Sequence, residues 1–251
     1  MKLTIKEIGD ITGGQAVGDP SALVTGVSID SRSIDKNQLF VPIKAKRNGH
    51  DFVSDAIRNG ATGHLFSEGK AQGNAVKVND TLIALQDLAK FERKRITGDV
   101  IGITGSVGKT TTKDILFASL RNLTEVHVSK LSFNNELGLP LTILSAESST
   151  KHLILEMGAR GPGQIAELAK IATPTIGIVT RVASAHTQFF QDIDHIAETK
   201  GALVELLPSS GTAILNNDDP RVAEMSKRTN AEIVTYGLED ATVTARKISI
   251  N

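Results

Sequence analysis

The sequence is short of several residue types that carry recognisable functions. It has no cysteine and no tryptophan, one tyrosine and an aromatic content of 4%. Without cysteine, the chain has no disulfide framework, no thiolate zinc site and no cysteine nucleophile. Its 28 basic residues balance 28 acidic residues, so the net charge gives no support for a nucleic-acid partner or for a role at a membrane surface.

Long apolar segments are also lacking. No apolar run approaches the ~18 residues that a membrane-spanning helix needs, and residues 1–7 do not have the apolar core of a signal peptide. We therefore expect no membrane span. What is present is a chain of 251 residues, 40% hydrophobic and 22% charged. That composition is ordinary for a globular protein, and the length allows one large domain or two smaller ones.

The pattern of apolar residues divides the chain into two α/β regions. Residues 1–97 predict a small α/β domain, with residues 96–98 as the joint. In residues 98–251 apolar runs alternate with amphipathic stretches, which predicts a mostly parallel sheet with helices on both faces.

The individual elements follow from periodicity and from glycine and proline punctuation. In the first region the predicted strands are 24–29, 38–43, 64–66 and 75–78, and the predicted helices are 4–11, 52–59 and 81–95. In the second region the predicted strands are 99–103, 152–156, 175–180, 212–216 and 232–236, and the predicted helices are 110–121, 163–171, 192–207 and 220–228. Ligands of such sheets bind at the carboxyl ends of the strands, so functional residues are expected there.

A glycine-rich stretch, residues 102–113, lies between a predicted strand and a predicted helix. Its small residues let the backbone approach a phosphate, and the free amides and dipole at the start of the helix favour an anion. Lys109 would neutralise the β- and γ-phosphates, and the Thr110 hydroxyl would ligate Mg²⁺. The stretch therefore predicts a phosphate-binding loop.

The spacing of this stretch departs from the common G-x-x-x-x-G-K-[ST] pattern. Counting back from Gly108, the first glycine of that pattern would fall at Ile103, whereas the glycines here are Gly102 and Gly105. The alternative interpretation is a glycine- and serine-rich loop without a function.

Three ionisable residues lie where a metal ion or a ligand is expected. Glu156 ends a buried strand, where its carboxylate needs a cationic partner such as Mg²⁺ unless it reaches solvent. His186 follows another buried strand and is either a metal ligand or a structural histidine. Lys200 lies on the apolar face of a predicted helix, where burial would lower its pKa and allow the neutral amine to be modified. On the pattern alone, a lysine that extends its ammonium group to water is favoured.

Two polar segments lie next to predicted helices. Residues 133–140 precede an apolar helix, and they either contact a ligand or form a turn with Pro140 at the start of the helix. In residues 216–220, Asp219 is expected to cap a helix that begins at Pro220, and capping alone explains that segment.

Taken together, these segments resemble the Mur ligase family over essentially the whole chain. The matching segments are 30–32, 39–41, 48–52, 104–111, 133–140, 155–159, 185–186 and 198–201. The first three are similar to the family's UDP-sugar-binding domain, the fourth to its ATP loop and the fifth to its substrate loop. Each segment is unspecific by itself, whereas their combination in this order is highly specific.

The resemblance implies a role for particular residues. The implied catalytic residues are Lys109, His186 and Lys200. The implied ATP-binding residues are Gly105, Ser106, Val107, Gly108, Lys109, Thr110 and Thr111. The implied ligands of Mg²⁺, with two ions expected, are Thr110, Glu156, His186 and Lys200, the last as a carbamate. The implied substrate-binding residues are Ser31, Arg32, Asn48, His50, Asn134 and Asn135.

The resemblance is greatest to the members that join D-alanyl-D-alanine to UDP-N-acetylmuramoyl tripeptide in peptidoglycan precursor synthesis. In that reaction the tripeptide carboxylate attacks the γ-phosphate of ATP, and the amine of the dipeptide then displaces phosphate from the acyl phosphate. ATP and Mg²⁺ are therefore the implied cofactors, and the UDP-linked tripeptide and the dipeptide are the implied partners. The expected compartment is the cytoplasm.

The sequence also departs from the family pattern. Arg181 stands where the family usually has asparagine, and residues 187–190 differ from the usual run after the histidine. Family members continue beyond the equivalent of Asn251 into a carboxyl-terminal domain that closes over ATP. We therefore expect this chain alone to bind the UDP-linked substrate but to have little ligase activity. The alternatives are a non-catalytic nucleotide-sugar-binding module and a Mur ligase that adds a different amino acid.

Overall fold

The computed structural model describes residues 1–130, 133–184 and 190–245. The chain divides into two compact units. The first comprises Met1–Arg95 with Pro140–Glu147, and the second comprises Ile96–Leu139 with Ser148–Asn251. Both units combine helices with mainly parallel strands, which confirms the predicted α/β class.

The first unit is built around a small mixed sheet. Its strands are β1 (Leu3–Thr4), β2 (Gln15–Val17), β3 (Leu23–Val24), β4 (Val27–Ser28), β5 (Leu39–Phe40), β6 (Gly63–Phe66) and β7 (Ala75–Lys77). Five of them form a sheet in the order β2-β7-β6-β5-β4, in which only the β2–β7 pair is antiparallel, and β1 pairs with β3. Its helices are α1 (Ile5–Thr12), α2 (Val53–Arg58) and α3 (Thr81–Arg93), and a 3₁₀ turn covers Gly49–Phe52.

Local sequence explains where these helices begin. Thr4 and Glu7 form a reciprocal capping box at the start of α1, which satisfies two backbone donors that the helix leaves open. Asp80 accepts the amides of Leu82 and Ile83 at 2.7 and 3.0 Å and so caps α3.

The second unit is a seven-stranded sheet flanked by helices. Its strands are β8 (Asp99–Thr104), β9 (Val126–Val128), β10 (His152–Glu156), β11 (Ile176–Val179), β12 (Thr212–Asn216), β13 (Glu232–Gly237) and β14 (Val243–Thr244). Their order is β14-β13-β12-β11-β8-β10-β9, and every pair is parallel. Its helices are α4 (Lys109–Leu120), α6 (Gln164–Ala172), α7 (Ile193–Glu205) and α8 (Pro220–Ala223). Helix α5 (Gly138–Ser145) begins in this unit and belongs to the first unit from Pro140 onward. In the described part of the chain, no helix has both the length and the apolar character needed to span a membrane.

The register of this sheet brings three strand ends together. Strand β8 lies between β10 and β11, with Ile103 opposite Glu156 on one side and Thr104 opposite Val179 on the other. Because all three strands run in the same direction, the segments that follow them meet at one edge of the sheet, where ligands of parallel α/β sheets bind.

Several predicted elements differ in length from the observed ones. The predicted strand 24–29 is divided between β3 and β4, and the predicted strand 38–43 is reduced to β5, because Pro42 has no amide to donate to a ladder. The predicted helix 220–228 is α-helical only in α8 and continues as a 3₁₀ helix over Glu224–Arg228. Strands β1, β2, β9 and β14 are two or three residues long, too short for a period-two pattern to reveal.

Candidate active site

The glycine-rich segment forms a tight turn between β8 and α4. Gly105 has a φ of +149° and Gly108 a φ of +87°, backbone conformations that glycine adopts without a steric penalty. A Cβ on Gly105 would lie 1.9 Å from Thr180 Oγ1, so the first position also has no room for a side chain. The predicted loop and the helix after it are therefore present.

Most of the predicted cradle is open to an anion. The amides of the first turn of α4, including those of Lys109, Thr110 and Thr111, have no acceptor within the helix, because the ladder begins with the bond from Thr112 N to Gly108 O. The Lys109 ammonium donates to Gly105 O at 2.9 Å across the mouth of the loop. Backbone donors and a cation thus converge where phosphates would bind.

Ser106 differs from the other residues of the predicted cradle. Its amide donates to Arg181 O at 2.6 Å, and its hydroxyl accepts the Ala183 amide and donates to Ala183 O, each at 2.9 Å. The polar groups of Ser106 are therefore engaged with the residues that follow β11.

Glu156 is a buried carboxylate held by two side chains. It ends β10, is 2% exposed, and accepts hydrogen bonds from Thr110 Oγ1 and Asn134 Nδ2, each at 2.8 Å. The alternative in which this glutamate reaches solvent is therefore wrong. A buried carboxylate must be partnered, and here the partners come from the phosphate-loop helix and from the segment before α5.

Lys200 is buried rather than extended to water. It is 5% exposed, and its neighbours Thr199 and Gly201 on α7 are buried as well. The interpretation favoured by the sequence pattern, with the ammonium in solvent, is thus wrong, because the face of α7 that carries Lys200 also buries Ile196, Leu203 and Val204. Burial, followed by repulsion from Lys109, lowers the pKa of Lys200 to about 8. Burial also lowers the pKa of Lys109, partly offset by the nearby Glu156 carboxylate.

The two predicted asparagines have different roles in the fold. Asn134 binds Glu156 through its side chain and accepts the amide of Gly158 through its carbonyl at 2.8 Å. Gly158 lies so close that a Cβ there would be 3.0 Å from Asn134 Cγ. The side chain of Asn135 instead accepts a hydrogen bond from the amide of Gly138 at 2.9 Å, at the start of α5. The side-chain oxygen of Asn135 therefore caps this helix.

One cavity of about 410 Å³ connects these groups. It is lined by Gly105, Ser106, Lys109, Asn134, Asn135, Glu136, Gly158, Ala159, Arg160, Gln164, Phe190, Ile196 and Lys200. Six of the predicted site residues therefore line one cavity. Two further predicted residues, Glu156 and Thr110, do not line it, but Glu156 is hydrogen-bonded to Asn134, which does, and to Thr110, which follows Lys109 in α4. His186 lies outside the described residues. Arg160 and Gln164 were missed by the sequence analysis; they follow the strand-end glycine Gly158, which was the available signal.

Glu156 and Thr110, next to this cavity, could bind Mg²⁺ together with a nucleotide. Within the described ranges there is no cluster of three histidine, cysteine or acidic side chains that could hold a metal ion. Mg²⁺, however, is commonly bound by one or two carboxylates together with water and substrate phosphates. Glu156 and the Thr110 hydroxyl, which touch each other at the phosphate loop, are oxygen donors of that kind. The donor set fits a nucleotide-bound Mg²⁺.

The four substrate residues predicted in the first unit line two different cavities. Ser31 and Arg32 line a cavity of about 760 Å³, whereas Asn48 and His50 line one of about 280 Å³. His50 Nε2 accepts the Ser67 amide at 3.1 Å, and its Nδ1 lies 3.0 Å from Asn48 Oδ1. Burial lowers the pKa of His50. The side chains of Asn48 and His50 therefore make hydrogen bonds within the first unit.

The larger cavity has an arginine-rich wall. Arg47, Arg58 and Phe52 line it together with Arg32. Arg32 is paired with Asp30 at 2.7 Å, which lowers the pKa of that carboxyl to about 2, and Arg58 is paired with Asp55. Arg47 lies over the ring of Phe52, 4.4 Å from its centroid. Among the described residues it has no carboxylate partner within ion-pair distance, so its charge is available to a ligand.

The second unit is thus an α/β domain of the phosphate-loop type, with a parallel sheet, a glycine turn after the interior strand β8 and an acidic residue on the adjacent strand β10. Comparison with known protein families supports this class and identifies the family. The model of the Mur ligase middle domain matches residues 103–251. A second model, described as Mur ligase family, catalytic domain, matches residues 23–93. The chain therefore belongs to the Mur ligase family, which confirms the predicted family.

Individual relatives share a more specific name. A UDP-N-acetylmuramoyl-tripeptide–D-alanyl-D-alanine ligase of Synechocystis sp. is 39% identical over 226 residues, 88% of this chain and 50% of that protein. The crystal structure of MurF from Acinetobacter baumannii matches with a TM-score of 0.89 at 26% identity, over 94% of this chain and 54% of that one. MurF from Thermotoga maritima in complex with ADP matches with a TM-score of 0.80 at 34% identity, over 87% and 51%. The chain spans about half the length of the curated relatives it matches.

The lowered pKa of Lys200 predicts a pH dependence of stability. Unfolding restores the ordinary lysine pKa, so between about pH 8 and 10.5 the unfolded chain binds more protons than the folded one. The free energy of unfolding therefore rises with pH across this window. Relative to a Lys200→Met variant, the wild-type chain should gain stability from pH 8 to pH 10.5 in urea denaturation. Lys170→Met, at an exposed position of α6, is the control. A difference between wild type and Lys200→Met that does not change with pH would contradict the lowered pKa.

Proposed function

We propose that this chain carries the nucleotide-sugar-binding unit and the ATP-binding centre of an amide-bond ligase. The proposed reaction joins D-alanyl-D-alanine to UDP-N-acetylmuramoyl tripeptide at the cost of ATP, in the synthesis of peptidoglycan precursors. The observation that supports it best is the single cavity in which Lys109, Lys200 and Asn134 meet beside the buried Glu156. Because its substrates are ATP and a UDP-linked precursor, the cytoplasm is the proposed compartment.

The proposed chemistry has two steps. A carboxylate oxygen of the tripeptide attacks the γ-phosphorus of ATP, ADP leaves, and an acyl phosphate forms. The amine of the dipeptide then attacks the acyl carbon, an amide bond forms, and inorganic phosphate leaves with loss of a proton from nitrogen. Charge develops on the phosphoryl oxygens in the first step, and preorganised donors stabilise such charge most effectively in a site removed from water.

The residues of the cavity fit separate parts of this reaction. The amides of Lys109, Thr110 and Thr111 would hold the phosphates, and the Lys109 ammonium would neutralise the transferring group. Thr110 and Glu156 would hold one Mg²⁺, with His186 and a carbamylated Lys200 as proposed ligands of a second; the ions would add further neutralisation of phosphate charge. Asn134 would keep the Glu156 carboxylate facing Thr110.

The surroundings of Lys200 support the proposed carbamylation. An ammonium group is costly to bury without a partner, and burial beside Lys109 already lowers the pKa of Lys200 to about 8, which raises the share of the neutral amine. A neutral amine can attack carbon dioxide, lose a proton and become a carbamate anion. The product would carry a negative charge towards Lys109 and any bound Mg²⁺, instead of a second positive charge.

The arginine-rich cavity of the first unit is the proposed site of the UDP group. Arg47, which has no carboxylate partner among the described residues, offers its guanidinium to a diphosphate, and Phe52 supplies an apolar surface beneath it. Ser31 and Arg32 line the same cavity. Asn48 and His50 belong to the smaller cavity, and their proposed contribution is to hold the Gly49–Phe52 turn that carries Phe52.

The ligase proposal is tested by phosphate release with UDP-N-acetylmuramoyl tripeptide and D-alanyl-D-alanine. It should be measured on this chain and on one that continues to the length of the relatives. In the longer chain Lys109→Ala should lower the rate by on the order of 10²–10³-fold, the loss typical of one preorganised charge-stabilising group, whereas Lys170→Ala should not. No turnover in the longer chain would overturn the proposal, and turnover with another amino acid only would assign the chain to a different Mur ligase.

The UDP site is tested by the affinity of the first unit's cavity for UDP. Removing one charge-assisted contact to a diphosphate should weaken binding by roughly 10- to 100-fold, so Arg47→Ala should raise the Kd for UDP by that factor in calorimetry. Arg121→Ala is a matched control, because Arg121 also lies over a ring, that of Phe117, at 5.9 Å. Equal UDP affinity in the Arg47 variant and the wild-type chain would place the nucleotide elsewhere.

The carbamate is tested by carbon-13 NMR in labelled bicarbonate. A carbamate signal should be present in the wild-type chain and absent from Lys200→Arg, since the guanidinium does not react in this way. Lys113→Arg is the control, because Lys113 is equally buried, at 4% exposure, and is not a proposed site. A spectrum without a carbamate signal at any bicarbonate concentration, or a signal that persists in Lys200→Arg, would show that the assignment is wrong.

A further inference from the structure

The residues that follow β11 have no role in the proposed chemistry, yet they bond to the phosphate loop on one side and to β12 and α8 on the other. These residues, 180–183, are here called the anchor segment. Thr180 is 6% exposed and Val182 5%. Because the anchor segment and the phosphate loop leave adjacent strands of one sheet, their contacts have a defined geometry.

Ser106 supplies most of the contact from the loop. Its amide donates to Arg181 O at 2.6 Å, and its hydroxyl exchanges two hydrogen bonds with the backbone of Ala183 at 2.9 Å. The Ser106 side chain therefore pairs with both the amide and the carbonyl of Ala183, which lies beyond the end of β11. Ser106 is held in place by the anchor segment and is not free to turn towards a ligand.

Thr180 supplies the second contact. Its hydroxyl donates to Val107 O at 2.6 Å and lies 3.2 Å from Thr104 O. The carbonyl of Val107 is thereby engaged with the anchor segment. This matters because a carbonyl that faced the mouth would repel a phosphate, whereas amides that face it attract one.

The far side of the anchor segment is fixed by residues whose only expected role was helix capping. Asp219 is 8% exposed; one carboxylate oxygen accepts the Arg221 amide at 3.0 Å and caps α8, and the other accepts the Val182 amide at 2.8 Å. Asn216 donates to Thr180 O at 2.8 Å. The anchor segment is thus bonded to β12 and α8 as well as to the phosphate loop.

We propose that Ser106 is a positioning residue for the nucleotide, which acts through the anchor segment and not by touching the phosphates; this rests on the proposed ATP site. Several amides that point into one space repel each other when no anion is present. The bonds from Ser106 and Thr180 offset that repulsion and keep the loop in its binding shape before a nucleotide arrives. Preorganisation of this kind raises affinity, because the cost of ordering the loop is not incurred on binding.

The test compares Ser106→Ala, Ser106→Thr and Ser119→Ala in the chain as it stands. Ser119 donates to Ile115 O at 2.9 Å on α4, so its variant removes a hydroxyl from the same loop–helix unit without touching the anchor segment. In Ser106→Ala we expect the Kd for ADP to rise about tenfold, as for loss of one or two hydrogen bonds. Ser106→Thr, which keeps the hydroxyl, should restore most of the affinity, and Ser119→Ala should bind like the wild-type chain.

Amide hydrogen exchange without nucleotide separates positioning from general stability. Exchange at the hydrogen-bonded amides of residue 106 and Thr112, and at those of Val182 and Ala183, should become faster in Ser106→Ala, while that of β8 and β10 stays unchanged. Asp219→Ser retains a capping hydroxyl for α8 but lacks the second oxygen, so it should speed exchange at Val182 in the same local way.

The outcomes distinguish this inference from the ligase proposal. If the wild-type chain does not bind ADP, the nucleotide site is wrong, and hydrogen exchange alone then decides whether Ser106 orders the loop. Unchanged exchange at the amides of residue 106 and Thr112 in Ser106→Ala would overturn the inference. So would faster exchange throughout the second unit, or ADP affinity equal to that of the wild-type chain.

Discussion

The buried carboxylate of Glu156 is the constraint on which the second unit depends. A charge that is 2% exposed would cost several kcal/mol if it were left without partners. Its two oxygens bind Thr110 and Asn134, so α4 and the segment before α5 must both lie against the end of β10. Since Lys109 precedes Thr110 on α4, the same contact fixes the position of the phosphate-loop lysine. One buried carboxylate thus holds together β10, α4 and the segment before α5.

The charges around the cavity are unbalanced in favour of cations. Burial lowers the pKa of Lys109 and Lys200, and the two groups also repel each other. Asn134, which holds Glu156, is neutral, and Glu156 is already engaged with two donors. A polar cavity with two desolvated lysines and several open amides is stabilised by an anion. This preference is a property of the described residues, and it is why a nucleotide phosphate suits the cavity better than a neutral ligand.

Sequence reasoning was reliable where a function follows from position along one strand. The runs that form β8, β10 and β11 have apolar interiors, so a parallel sheet could be predicted, and Glu156 followed from its place at a strand end. The burial of Lys200 could not be predicted, because periodicity gives the apolar face of α7 but not how far its neighbours cover that face. The engagement of Ser106 and Asp219 was missed for a similar reason, since each bonds to residues distant in sequence.

The unusual spacing of the phosphate loop has a structural cause. Ile103, where the common pattern would have its first glycine, is fully buried in β8 between Glu156 and Ile178. A glycine there would remove core packing, so the strand continues through Thr104 and the turn starts only at Gly105. Because the turn starts only after Thr104, which is opposite Val179 at the end of β11, it lies beside the anchor segment. The bonds that shape it therefore come from that neighbouring segment, through Thr180 and Ser106, as well as from within the loop. The point at which β8 ends thus decides both the glycine spacing and the way in which the loop is held.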